Sequence, residues 1–371
     1  MNRRRLICVL GITLALLARA AAADQLLVLE KDSHQLAIID PVKLAVLARV
    51  PSGPDPHEVE SSSDGRIAYI SNYGGEGSDQ HIISRVDLLA RQPLAPIDLG
   101  ALHSAHGLAF AGGKLYFTAE SSKVIGRYDP ASERIDWVIG TGQDRTHMLW
   151  VAPDLQHIYT TNVRSGTVSI IESALRPAFA PPPGFTPPPG APPRPSAAPV
   201  RLWDITVVPA GRGAEGFDVS PDGKQLWTAN AQDGTVTVID LASKKAVDSF
   251  AIPVHGANRL KFTPDGRHVL ISALGRFGSR EPDHSNLIIL DTATHRTIKS
   301  LDLGGGAAGI LIPPGGGSAF IAVSGGGKVA VLDLASLEVR GQIAPLGQPD
   351  GMAWVNAEPP AAPAEPAGVN H

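Results

Sequence analysis

The sequence predicts an all-β fold, a seven-bladed β-propeller with four-stranded blades, closed by three N-terminal strands plus one C-terminal strand. Three observations predict it. Short β-branched and aromatic runs recur along the chain, a tight turn precedes one such run in each unit of roughly 40 residues, and nothing after residue 23 has a helical period. The length of 371 residues alone would suggest two or three domains, and the repetition overrides that count.

The chain begins Met1-Asn2-Arg3-Arg4-Arg5, continues with an almost unbroken apolar run over 6–17, and reaches small residues at 20–23 before Asp24. A basic head, a short apolar stretch and a small-residue cleavage site make 1–23 a signal peptide, so a periplasmic or secreted protein is expected. The apolar run is too short to cross a bilayer and no later one is longer, so no membrane span is expected. Cys8 is the single cysteine, and the chain from Asp24 onward has no thiol. This excludes disulfides, thiolate metal sites, cysteine nucleophiles and covalently attached c-type haem. Losing Arg3, Arg4, Arg5 and Arg19 moves the formal charge from -4 to about -8. A mildly acidic surface without a basic run argues against nucleic acid as a partner.

From 24 to 356 the elements follow in order. Residues 26–30, 36–40 and 44–50 read as three strands with no innermost partner. Hairpin strands follow at 67–71, 114–118, 157–161, 225–229, 268–272 and 319–323. Turns such as Ser63-Asp64-Gly65, Pro221-Asp222-Gly223 and Pro264-Asp265-Gly266 precede them. A second hairpin completes each unit, clearest at Ala231-Gln232-Asp233-Gly234 before 235–240 and then 245–252. Two insertions break the spacing. The Pro-rich stretch 177–199 falls between third and fourth strands and reads as an extended solvated loop, and 276–284 lengthens a connection from a second to a third strand. The Pro/Ala-rich tail, 357–371, is expected to be disordered.

The unit Gly216-Phe217-Asp218-Val219-Ser220-Pro221-Asp222-Gly223-Lys224, with Leu226-Trp227-Thr228-Ala229-Asn230 and 234–240, resembles the YVTN repeat, G-V-A-V-S-P-D-G-K…Y-V-T-N…G-T-V-S-V-I-D. The resemblance covers nearly all of 25–355. It implies a propeller scaffold and is weak for activity, because the family is defined by its fold.

Seven innermost strands begin at Pro56-His57, Ala105-His106, Thr146-His147, Ala214-Glu215, Ala257-Asn258, Ala307-Ala308 and Pro349-Asp350. The last is followed only by a short run ending at Val355, so it completes the blade begun by the three N-terminal strands and removes both open edges. The second residues of these strands form a ring at one channel mouth: His57, His106, His147, Glu215, Asn258, Ala308 and Asp350. Imidazoles and carboxylates converging from different blades suit a divalent metal ion, with His57, His106, His147, Glu215 and Asp350 as candidate ligands. The same positions also suit a polar, water-filled mouth. A surrounding set, Asn72, Glu120, Asn162 and Asn230 at second-strand ends with Arg145, Asn258 and Arg259 nearby, would contact a ligand. Alternatively the asparagines bond turn backbone, and Arg145 pairs with Asp144.

No phosphate-binding loop, nucleophile elbow or quinone-docking tryptophan pattern occurs, so no nucleotide cofactor and no acyl-enzyme is expected. Three readings remain. The first is a scaffold holding a metal ion, a small anionic ligand or a protein partner at the mouth. The second is a metal-dependent hydrolase or lyase of lactone or ester type, and the third is a structural surface repeat protein.

Overall fold

The computed structural model describes residues 23–75, 77–176, 186, 188, 199–275 and 285–356. Almost all of the expected signal peptide, most of the Pro-rich insertion, the 276–284 insertion and the tail lie outside the described residues. Seven four-stranded antiparallel sheets form the ring. Numbering blades in chain order, the first consists of Gln25–Glu30, Gln35–Asp40 and Ala45–Pro51 with the innermost strand Pro349–Val355. That C-terminal strand pairs antiparallel with the first strand of the chain, Leu26 opposite Trp354, as the sequence reading expects. No helix among the described residues is long and apolar enough to cross a membrane.

The middle strands of a blade are covered on both faces, so they carry near-continuous apolar runs such as the LLVLE of the first strand. Outer strands face solvent on one side and alternate, as in Ala45–Pro51. The core lies between neighbouring blades. Trp227 of the fifth blade is fully buried against Phe262 of the sixth, their ring centroids 5.4 Å apart, in a cluster with Val269, Ile271 and Leu290. Leu27, Leu29 and Ile38 of the first blade similarly pack on Val59, Ile70 and Val86 of the second.

The top of each innermost strand repeats one irregularity. Pro56 pairs with Asn72, but the next pair is Val59 with Ile70, leaving an extra residue on the inner strand. The same bulge occurs after Ala105, Thr146, Ala214, Ala257 and Pro349. An extra residue re-aims its side chain out of the ladder. All ring residues except Ala308 therefore sit on bulges, with their side chains freed from the stacked sheets. Gly107, the residue after His106, has no room for a Cβ, which would strike the His147 carbonyl of the next blade. The seventh blade differs. Its innermost strand is only Ile310–Leu311, and Ala308 lies ahead of it, tied to Ala322 by a 2.8 Å backbone hydrogen bond.

Two residues before the six ring positions other than Ala308 the backbone turns left-handed, at Asp55, Ser104, Arg145, Gly213, Gly256 and Gln348. The carbonyl there accepts an N–H from the residue just past the second strand: Tyr73, Glu120, Val163, Ala231, Leu274 and Lys31, respectively. In the seventh blade Gly306 accepts from Gly325. Each of the first six blades thus presents three positions at the mouth, one on the bulge, one on the left-handed turn and one past the second strand.

Candidate metal centre at the channel mouth

The second, third and fourth blades bring their bulge histidines into contact. The rings of His57 and His106 are 4.8 Å apart and those of His106 and His147 only 3.8 Å, with Tyr73 edge-on at 5.0 Å to both His57 and His106. His106 and His147 are buried, at 2% and 1% exposure, and His57 is partly exposed.

His147 lies between two carboxylates. Its Nδ1 bonds Glu120 Oε1, and its Nε2 is 3.0 Å from Glu215 Oε1, within ion-pair distance but outside hydrogen-bond geometry. Burial would lower its pKa, yet Glu215 and Glu120 outweigh burial and raise it. Glu215 responds in kind: burial pushes its carboxyl up, but His147, Arg259 and Arg145 bring it down to about 2. Glu120 is likewise held below its ordinary value against burial, through His147, Arg145 and a 2.6 Å hydrogen bond donated by Tyr73. His106 goes the other way. Burial first, then the charges of His147, His57 and two arginines, keep it neutral. Its Nδ1 is buried without a hydrogen-bond partner. One ligand atom each from His106, Glu120 and His147 fall within 4.8 Å of one another, so this trio could hold a metal ion.

The five candidate ligands read from the sequence do not converge. His57 and Asp350 form a separate group, with Nδ1 of His57 3.3 Å from Asp350 Oδ2 and Lys31 and Asp55 around it. Glu215 stays with His147, and Asn258 reaches Glu215 with a long 3.5 Å contact. Arg259 extends beneath the ring and pairs with Glu58 of the second blade across the channel. Arg145 bonds Glu120 through Nε at 3.2 Å, whereas Asp144, its suggested partner, pairs with Lys123 at 2.5 Å instead.

Glu120 was grouped with Asn72, Asn162 and Asn230, and the structure separates it from them. The three asparagines are fully buried and brace their own blades. Asn72 donates to the carbonyls of Ser52 and Pro54, Asn162 bonds Thr146, Thr167 and Ser169, and Asn230 donates to Thr235 and Thr237. Their counterpart in the third blade is Ala119, paired with Ala105, and Glu120 is one residue on, at the position of Tyr73 and Lys31. A one-residue shift on a strand exchanges its two faces. The signal was present: Pro56 pairs with Asn72 but Ala105 with Ala119, so the third hairpin is two residues shorter.

No protein-family model matches the chain, and no curated protein sequence matches it. Solved structures share its fold. A candidate 6-phosphogluconolactonase from Bacteroides uniformis is similar at 12% identity and a TM-score of 0.67, covering 90% of this chain and 99% of that one. A functionally unknown protein from Desulfotomaculum acetoxidans gives 12% and 0.66 over 90% and 99%. The dihydro-haem d1 dehydrogenase NirN, in complex with DHE, gives 16% and 0.60 over 89% and 74%. At these identities the likeness is one of fold alone.

Proposed function

We propose that this protein is an exported propeller scaffold that holds one divalent metal ion at its channel mouth, through His106, His147 and Glu120, with Glu215 as the fourth group. The observation that carries this reading is the buried, partnerless Nδ1 of His106 beside His147 and Glu120. An orphaned polar atom in a buried site costs about 1–3 kcal/mol, a cost a ligand would remove. Two imidazoles and two carboxylates from three adjacent blades form a nitrogen-oxygen donor set that suits zinc and its borderline neighbours. Without metal, a proton on His147 balances Glu120 and Glu215, so the ion displaces that proton and takes over its role.

The test is elemental analysis of untagged protein after incubation with zinc, beside a His106→Ala variant with an unchanged circular dichroism spectrum. One equivalent retained by the wild type and none by the variant is the expected result. Wild type that retains no metal overturns the reading.

Arg145 favours a second reading, an enzyme acting on a lactone or ester. Its Nε bonds Glu120, and its terminal nitrogens have no hydrogen-bond partner among the described residues, which suits a carbonyl or carboxylate bound beside the ion. Hydrolysis of a lactone panel, abolished both by chelation and by Arg145→Ala, would support it.

A further inference from the structure

The mouth contains two seats for a cation, and the protein fills one of them itself. Beside the His106–Glu120–His147 trio, His57, Asp55 and Asp350 surround the ammonium of Lys31. Its Nζ is 2.5 Å from His57 Nε2, 3.5 Å from Asp55 Oδ1 and 3.6 Å from Asp350 Oδ2. An imidazole and two carboxylates facing one point are a metal-binding donor set in kind. Lys31 is fixed there rather than flung out to solvent. Its backbone N–H bonds the Gln348 carbonyl, and its side chain is only 24% exposed. The two seats adjoin, since the His57 and His106 rings are 4.8 Å apart. Two-metal centres hold their ions about 3.5–4 Å apart, so paired occupation is sterically conceivable on this ring.

We infer that Lys31 sets the stoichiometry of the mouth at one: its ammonium occupies the His57–Asp55–Asp350 seat and bars a second divalent ion. This rests on the proposed metal site at His106, Glu120 and His147. The charge argument is direct. A second dication would lie within contact distance of an ammonium, and like charges at about 4 Å repel by several kcal/mol at an interior effective dielectric near 20. Removing the ammonium leaves His57 and two carboxylates with no cation between them. Asp55 is partly exposed and on a turn, so it can close the present 3.5 Å spacing toward the roughly 2.0–2.2 Å of a carboxylate–zinc bond.

The experiment counts zinc bound by the untagged full chain, wild type and Lys31→Met, by elemental analysis after equilibration and gel filtration. Folding is checked by circular dichroism, and Lys31→Gln replaces Lys31→Met should the latter not fold. One zinc in the wild type and two in the variant, falling back to one in Lys31→Met/His57→Ala, is the expected result. One zinc in both proteins, or two in the wild type, overturns the inference and leaves the metal site standing. No zinc in the wild type instead removes the metal site on which the inference rests.

Discussion

The two halves of the ring are built on the same backbone and furnished differently. From the first to the fourth blade, the bulge, turn and second-strand positions carry Asp350, Gln348 and Lys31, then His57, Asp55 and Tyr73, then His106, Ser104 and Glu120, then His147, Arg145 and Val163. Across the fifth to seventh blades the turn position falls to Gly213, Gly256 and Gly306, and the second-strand position to Ala231, Leu274 and Gly325. A left-handed turn is met most cheaply by glycine, and the fifth and sixth blades use it at Gly213 and Gly256. Asp55, Ser104 and Arg145 accept a strained backbone where a side chain is wanted. The difference teaches that the repeat supplies the posts, six of them built alike, and that titratable side chains are concentrated on one arc of them.

The largest expected effect tests by acid the charged group that the second arc does carry, Glu215 on the fifth blade. The Glu215 carboxyl is depressed in the fold, against burial, to about 2 from its ordinary 4.5, chiefly by His147. Its contribution is therefore complete above about 4.5 and is lost as the pH falls through that value toward 2, an effect of about 3 kcal/mol. In metal-free protein, thermal melts between pH 5 and pH 2.5 should show Glu215→Gln losing less stability than the wild type by that amount. His147 contributes with the opposite sign, since its raised pKa makes its share present at low pH and lost as the pH rises past the ordinary histidine range. Equal acid sensitivity of wild type and variant would break the picture of Glu215 held ionised beside His147.

A second prediction compares matched positions on the two arcs. Glu120→Gln should weaken zinc binding by about 100-fold in a competition titration, because it removes a charged donor and the anchor of His147. Leu274→Ala, at the same post in the sixth blade, should change it less than twofold. Similar losses in both would mean that the arcs are not functionally distinct.

The smallest effect separates bracing from binding. Asn230→Ala should lower stability by about 1–3 kcal/mol in urea unfolding, since it leaves the buried hydroxyl of Thr237 and the partly buried one of Thr235 without their donor. Its zinc affinity should stay within twofold of wild type. A marked loss of affinity would return the asparagines to the ligand shell.

The ring, its count and its closure were legible because periodic features announce themselves. Turn signals repeat, Pro349-Asp350 matches Pro56-His57, and the three N-terminal strands visibly lack a partner. The site was legible only as a set of aligned positions. Which of them meet depends on side-chain reach across blades, as when Lys31 gathers His57 and Asp350 around its ammonium. Lys31 and Tyr73 went unnoticed because they follow the strand end instead of ending it, and the short third hairpin disguised Glu120 as one of the asparagine braces. The cross-channel pair of Glu58 and Arg259 had no signal at all, being separated by most of the ring.

The clasp between Gln25–Glu30 and Pro349–Val355 also orders events in time. The first strands made must wait for the last before their sheet is complete, and contacts of such long sequence separation form slowly. Asp350 arrives on that final strand, so the group around Lys31 and His57 comes into being only when the circle shuts. A chain that ended before Pro349 would have six whole blades and an unfinished mouth. The docking of Pro349–Val355 is in this sense the event that furnishes the mouth.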